Sequence, residues 1–161
     1  YYVPLSRGRG FCSVPVWAKM AKRFRQSGKD AMTLIIVSDY DPEGLSLADD
    51  GIRSLRDLWG VPVEGHRVAV TREQVDELDL ANDFNPAKVS SSRFKSFVER
   101  TGGEATWECE ALPPKFLIEE VKGAIEANMD MELFEKVVEQ ERADCDELFD
   151  VKQSIAQELQ F

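Results

Sequence analysis

Apolar residues at three- and four-residue steps mark the first helix: Trp17, Met20, Ala21 and Phe24 share one face, with Lys19, Lys22 and Arg23 on the other. Ser13 is placed to cap it, Pro15 falls in its first turn and Gly28 stops it. Ahead of it, Tyr2 to Leu5 reads as a short strand and Ser6 to Gly10 as a glycine-rich loop. Thr33 to Ser38 is a compact run rich in β-branched residues, the pattern of a strand buried on both faces. Asp41-Pro42 then starts a helix whose stripe is Leu45, Leu47, Ala48, Ile52, Leu55 and Leu58, with Gly60 past its end. His66 to Val70 predicts the next strand, and Thr71 with Gln74 forms a capping-box pair for a short helix to about Leu80.

Residues 82–91 are polar, include Pro86 and read as loop. Arg93 to Arg100 predicts a helix closed by Gly102-Gly103, and Ala105 to Cys109 a strand carrying Trp107. Pro113-Pro114 opens a helix with Phe116, Leu117, Val121, Ile125 and Ala127. From Met131 a long helix repeats Phe134, Val138, Cys145, Leu148, Ile155 and Leu159, continuous or broken near Ala143-Asp144. Strands alternating with helices give an α/β class with a small, mostly parallel sheet over residues 1–130 and a helical extension over 131–161. That extension is too long for a small sheet to cover, so its remainder is expected to pack on another helix or another chain.

Composition narrows the chemistry. The chain has 161 residues, 43% hydrophobic and 31% charged, an ordinary globular balance. Its longest strongly apolar run, Leu34 to Val37, is far short of the ~20 residues of a membrane span. No signal peptide opens it, and Cys12, Cys109 and Cys145 form no Cys-x-x-Cys pair, so a cytoplasmic protein without a zinc cluster is expected. A single histidine, His66, in a loop before its strand, leaves carboxylates as the metal ligands of choice. The net charge of -10 is uneven: residues 1–30 hold seven bases against one acid, residues 101–161 sixteen acids against five bases. Nucleic acid would therefore approach from the basic end.

The segment that carries chemistry is Val37-Ser38-Asp39-Tyr40-Asp41-Pro42-Glu43-Gly44, where a strand turns into a helix. On extended backbone, residues i and i+2 share a side, so Asp39 and Asp41 face one way and Tyr40 the other. Ligands of open α/β sheets bind at this strand end. Two adjacent carboxylates, ionised together, call for a hard cation such as Mg²⁺, and Glu43 can add a third oxygen. The plainer alternative is that Asp41 merely caps the helix begun by Pro42 while Asp39 bonds loop amides. Haloacid-dehalogenase phosphatases place a similar Asp-x-Asp but want Thr or Val where Glu43 stands, and a receiver domain would need a matching acid set that the chain lacks.

Asp39-Tyr40-Asp41-Pro42-Glu43-Gly44 resembles the Asp-x-Asp signature of TOPRIM domains, and its Pro-x-Gly is similar to the DNA-cleaving subunit of topoisomerase VI and the related meiotic double-strand-break proteins. Asn85-Pro86-Ala87-Lys88 with Arg93, and Trp107 through Pro114, resemble the later part of bacterial and phage members, so the likeness runs over roughly residues 2–130. It implies a small Rossmann-like sheet binding Mg²⁺ through Asp39, Asp41 and Glu43, a partner DNA, a homodimer through the full-length protein, and an ATPase subunit. It also implies a first-strand glutamate and a nucleophilic tyrosine on a winged-helix domain. No acid precedes Asp30, so both are expected upstream, and residues 1–161 alone are expected to cleave nothing. Arg7 and Arg9, beside Gly8 and Gly10, resemble a loop poised at phosphate, with Lys88 and Arg93 as further contacts. Glu108 and Glu110 are expected to face solvent. A transesterase, a nuclease and a non-catalytic interaction module with this fold remain the functional alternatives.

Overall fold

The computed structural model describes residues 1, 3–7 and 14–159. These form two units, Tyr1–Ala124 and the segment from Ile125 onward. The first unit is mixed α and β: α1 (Val14–Ser27), β1 (Met32–Val37), α2 (Pro42–Arg53), β2 (Val63–Ala69), α3 (Arg72–Glu77), β3 (Asn85–Pro86), α4 (Phe94–Thr101), β4 (Ala105–Thr106) and most of α5 (Pro114–Glu126). The second unit holds the end of α5 and α6 (Met131–Glu158), one unbroken helix capped by Asp130, whose side chain accepts from Leu133 N–H.

β1 and β2 are parallel, pairing Met32 with Val63 through Val37 with Ala69. The crossover between them is α2, continued by a π-helical turn over Ser54–Leu58. A π turn adds a residue to the repeat and rotates the positions beyond it. Leu55 accordingly stays fully buried while Leu58, which the stripe assigns to the core, is 71% exposed. β3 and β4 form a two-residue antiparallel ladder, so among the described residues the sheet is smaller and less parallel than the sequence predicts.

Two apolar clusters hold the unit. Trp17, Ala21, Leu55 and Val61 pack α1 on α2, as the α1 stripe predicts. The contact is close because Gly51 has no side chain: a Cβ there would sit 2.6 Å from the Trp17 ring. Tyr40, Leu45, Val70, Val75, Phe97, Trp107 and Leu112 form the second cluster, beside the end of β1. Trp107 is its centre, 2% exposed, with its Nε1–H donating to Leu80 O at 2.9 Å.

Other expectations change with the packing. Val3–Leu5 make no strand; Leu5 is 93% exposed and no ladder covers it. Tyr2, the Gly8–Gly10 loop and Ser13 lie outside the described residues. β1 is not buried on both faces: among the described residues it pairs only with β2, and Val37 is 42% exposed. His66 lies within β2, half-buried and 3.6 Å from Glu64, rather than in a loop. α3 ends at Glu77, earlier than the pattern suggests. The Ala105–Cys109 strand is shortened, since Cys109–Ala111 is a 3₁₀ turn. The Thr71–Gln74 capping box forms in full, and Gly102 closes α4 in the left-handed conformation. Among the described residues no helix is long and apolar enough to cross a membrane.

Candidate functional site

The backbone leaving β1 is held from three sides. Ser38 extends the parallel ladder, its N–H donating to Ala69 O at 2.8 Å and its carbonyl accepting from Val70 N–H at 2.7 Å. Tyr40 pairs antiparallel with Trp107 through bonds of 2.7 and 3.1 Å. The Tyr40 ring is buried edge-on against Phe97 and Trp107, with centroids 5.8 and 5.7 Å away. Each such aromatic pair contributes roughly 0.5–1.5 kcal/mol beyond its buried area. With Tyr40 anchored in the core, the flanking Asp39 and Asp41 are left half-buried at the sheet end.

Each aspartate is oriented by one backbone amide. Asp39 Oδ1 accepts from Cys109 N–H at 2.8 Å, a contact across seventy positions made possible by the Tyr40–Trp107 bridge. Asp41 is the N-cap of α2, its Oδ1 accepting from Gly44 N–H at 2.5 Å with Pro42 in the first turn. Gly44 itself is required: a Cβ would run into the Asp39 carbonyl and lie 3.1 Å from Asp41 Oδ1. Ser38 Oγ donates to Gly44 O at 3.1 Å, tying strand end to helix start.

Burial raises the Asp41 carboxyl above its ordinary value; the Gly44 amide pulls it back, Glu43 and Asp39 push it up again, and Lys88 offsets part of that. Asp39, Asp41, exposed Glu43 and exposed Lys88 therefore share one electrostatic neighbourhood. Burial and the Asp39 carboxylate beside it push the Cys109 thiol up to about 12.

Arg67, on β2, is the residue that sequence reasoning missed. Its Nη2 donates to Asp39 O at 3.0 Å and its Nε to Ser38 Oγ at 3.3 Å, while its guanidinium lies 5.5 Å from the Tyr40 ring centroid. Burial lowers its pKa, and Tyr40 and Asp41 partly offset the shift. Only the β1–β2 register, which puts Ile36 opposite Arg67, reveals this role.

The other phosphate candidates separate. Arg93 is ion-paired with Asp50 on α2 at 3.1 Å. Arg7 lines an open cleft of about 440 Å³ with Lys19, Lys22 and Arg23, a concentration of positive charge on α1. Arg9 lies outside the described residues. Glu108 and Glu110 face solvent, as expected.

No group of three or more His, Cys, Asp or Glu side chains forms a metal cluster among the described residues. Asp41 Oδ2 nevertheless accepts no hydrogen bond from any described residue, while the Asp39 carboxylate is also hydrogen-bonded by the Cys109 thiol. Two neighbouring half-buried carboxylates, Asp41 with an open oxygen, suit Mg²⁺, which keeps several waters and takes one or two carboxylates plus phosphate oxygens. It does not suit an ion that needs an all-protein cage. Compared with models of protein families, with curated proteins and with solved structures, the chain finds no match.

Proposed function

We propose that residues 1–130 are a Rossmann-like, TOPRIM-type domain that binds Mg²⁺ through Asp39 and Asp41, with Glu43 alongside, in a DNA-cleaving and rejoining enzyme akin to the DNA-cleaving subunit of topoisomerase VI. The observation that carries the reading is the pair of half-buried aspartates at the end of β1, each with Oδ1 held by a backbone amide, the Asp41 carboxyl raised by burial and by the like charge of Glu43 and Asp39. Mg²⁺ bound there would neutralise charge on a phosphodiester, the main demand of phosphoryl transfer. Arg67 holds the Asp39 backbone in place, Lys88 lends positive charge beside Asp41, and the Arg7–Lys19–Lys22–Arg23 cleft offers DNA a basic approach. A homodimer and an ATPase partner belong to the same proposal, and a TOPRIM nuclease would use the site in the same way.

A second reading has an observation of its own. Both Oδ1 atoms serve backbone amides, which is what acids do when they are only caps in a non-catalytic interaction module. Thermal melts separate the two, because a ligand that binds the folded state alone stabilises by about 2.7 kcal/mol at a hundredfold excess over Kd. The metal reading expects Mg²⁺ to raise the melting temperature of the wild type and to leave Asp39→Asn/Asp41→Asn unmoved. An equal response, or none, from both proteins would favour the cap reading.

A further inference from the structure

The second unit carries a surface that the Mg²⁺ site does not use. One stripe of α6 at alternating four- and three-residue steps runs Phe134, Val138, Glu141, Cys145, Leu148, Lys152, Ile155 and Leu159, apolar at six of its eight positions. A sustained seven-residue repeat of this kind is the seam of a coiled coil. Leu148 and Ile155 are 69% and 50% exposed, and Cys145 is exposed as well.

Two seam positions are charged, and they identify what covers it. Glu141 and Lys152 occupy the same stripe, both exposed. Lys152 has Leu148, Phe149, Ile155 and Ala156 at its helical neighbour positions, so no acid on its own helix lies within reach. Neither residue makes an ion pair among the described residues.

We infer that α6 pairs with α6 of a second copy of this chain as an antiparallel coiled coil about a two-fold axis between Asp146 and Glu147. In that register Val138 meets Ile155 of the second copy, Cys145 meets Leu148, and Glu141 meets Lys152. Every apolar seam residue in this stretch finds an apolar partner, and the two charges neutralise each other. A parallel pair in register would instead oppose Glu141 to Glu141 and Lys152 to Lys152 inside the seam. A parallel shift that joined Glu141 to Lys152 would span eleven positions, which the seven-residue repeat forbids.

The helix edges agree. α6 holds nine acids against three bases, a balance that on its face favours a basic partner. Five of the acids, Glu132, Glu139, Asp146, Glu147 and Asp150, fall on the outer face away from the seam. The three flanking ones, Glu135, Asp144 and Glu158, would lie across from Ala156, Val151 and Val137 in the antiparallel register. No like charges oppose along the seam edges, so self-pairing is open to this acidic helix.

Sedimentation equilibrium on the full chain tests this through a charge swap. Glu141→Lys and Lys152→Glu, each judged folded by circular dichroism, are expected to weaken self-association by about tenfold or more. The double variant Glu141→Lys/Lys152→Glu should return to within about threefold of wild type. Leu148→Cys, oxidised, should give a dimer whose cross-linked peptides join Cys145 to position 148. A chain that stays monomeric to about 100 µM, single variants that associate like wild type, a double no tighter than the singles, or cross-links joining Cys145 to Cys145 would each overturn the inference. The first outcome would leave a foreign helix as the occupant. Because the readout is association in metal-free buffer, its result stands apart from that of the Mg²⁺ melts.

Discussion

Gly44→Ala sets two physical effects against each other, and the structure says which wins. Gly44 lies in the first turn of α2, where alanine is favoured over glycine by up to about 1 kcal/mol. Its φ is not left-handed, so alanine fits the local backbone. The new methyl, however, collides with the Asp39 carbonyl, and that group cannot simply retreat. It accepts from Arg67 Nη2 at 3.0 Å, and its neighbours Ser38 and Tyr40 are locked into the β2 ladder and the Trp107 bridge. Overpacking of this kind costs about 1–3 kcal/mol, and a weakened hydrogen bond to a charged donor about 1.5–3 kcal/mol if it is lost outright. Net of the helix gain, a loss of about 2 kcal/mol is expected. In Mg²⁺-free buffer that lowers the melting temperature by roughly 4–8 °C, read by far-ultraviolet circular dichroism. A melting temperature at or above wild type would mean that helix propensity wins and the strand end is not held as described.

Two further outcomes rest on the same geometry. Because the folded-state carboxyl of Asp41 is raised, its ionisation opposes folding: the favourable contribution is complete below its unfolded value and is lost as pH rises through the folded one. Asp41→Asn, which keeps an N-cap oxygen, should therefore lose less stability than wild type as pH climbs through the carboxylate range without metal, and parallel pH–stability curves would contradict this. Cys109, its thiol pushed up to about 12 by burial and by Asp39, should resist iodoacetamide at pH 8 while exposed Cys145 reacts, and Asp39→Asn should speed its labelling; an unchanged Cys109 rate in Asp39→Asn, measured by peptide mass spectrometry, would refute the Asp39–Cys109 contact.

What the sequence made legible was local. The α1 stripe, the Thr71–Gln74 capping box, the Asp41-Pro42 helix start and the glycine stop at Gly102 depend on residues within a few positions of one another. What was hidden depends on contacts remote in sequence. The lock of Asp39 on Cys109 requires the segment after β4 to fold back beside Tyr40, and the role of Arg67 requires the β1–β2 register. Leu58 misled because periodicity assumes an even helix, whereas the π turn after Arg53 resets the phase. Arg93 resembles a phosphate contact in its motif, yet its acid partner Asp50 lies 43 positions away on another helix.

The central claim is the proposal that the Asp39 and Asp41 carboxylates together take a divalent ion. Mn²⁺, a paramagnetic stand-in for Mg²⁺, reports on it by broadening amide resonances close to where it binds. Titrated below one equivalent, it should first erase the amides of Cys109 and Gly44, whose N–H groups touch these two carboxylates. Excess Mg²⁺ should restore them, and Asp39→Asn/Asp41→Asn should abolish the effect. Broadening that begins along the acidic α6 while Cys109 and Gly44 stay sharp would contradict the account.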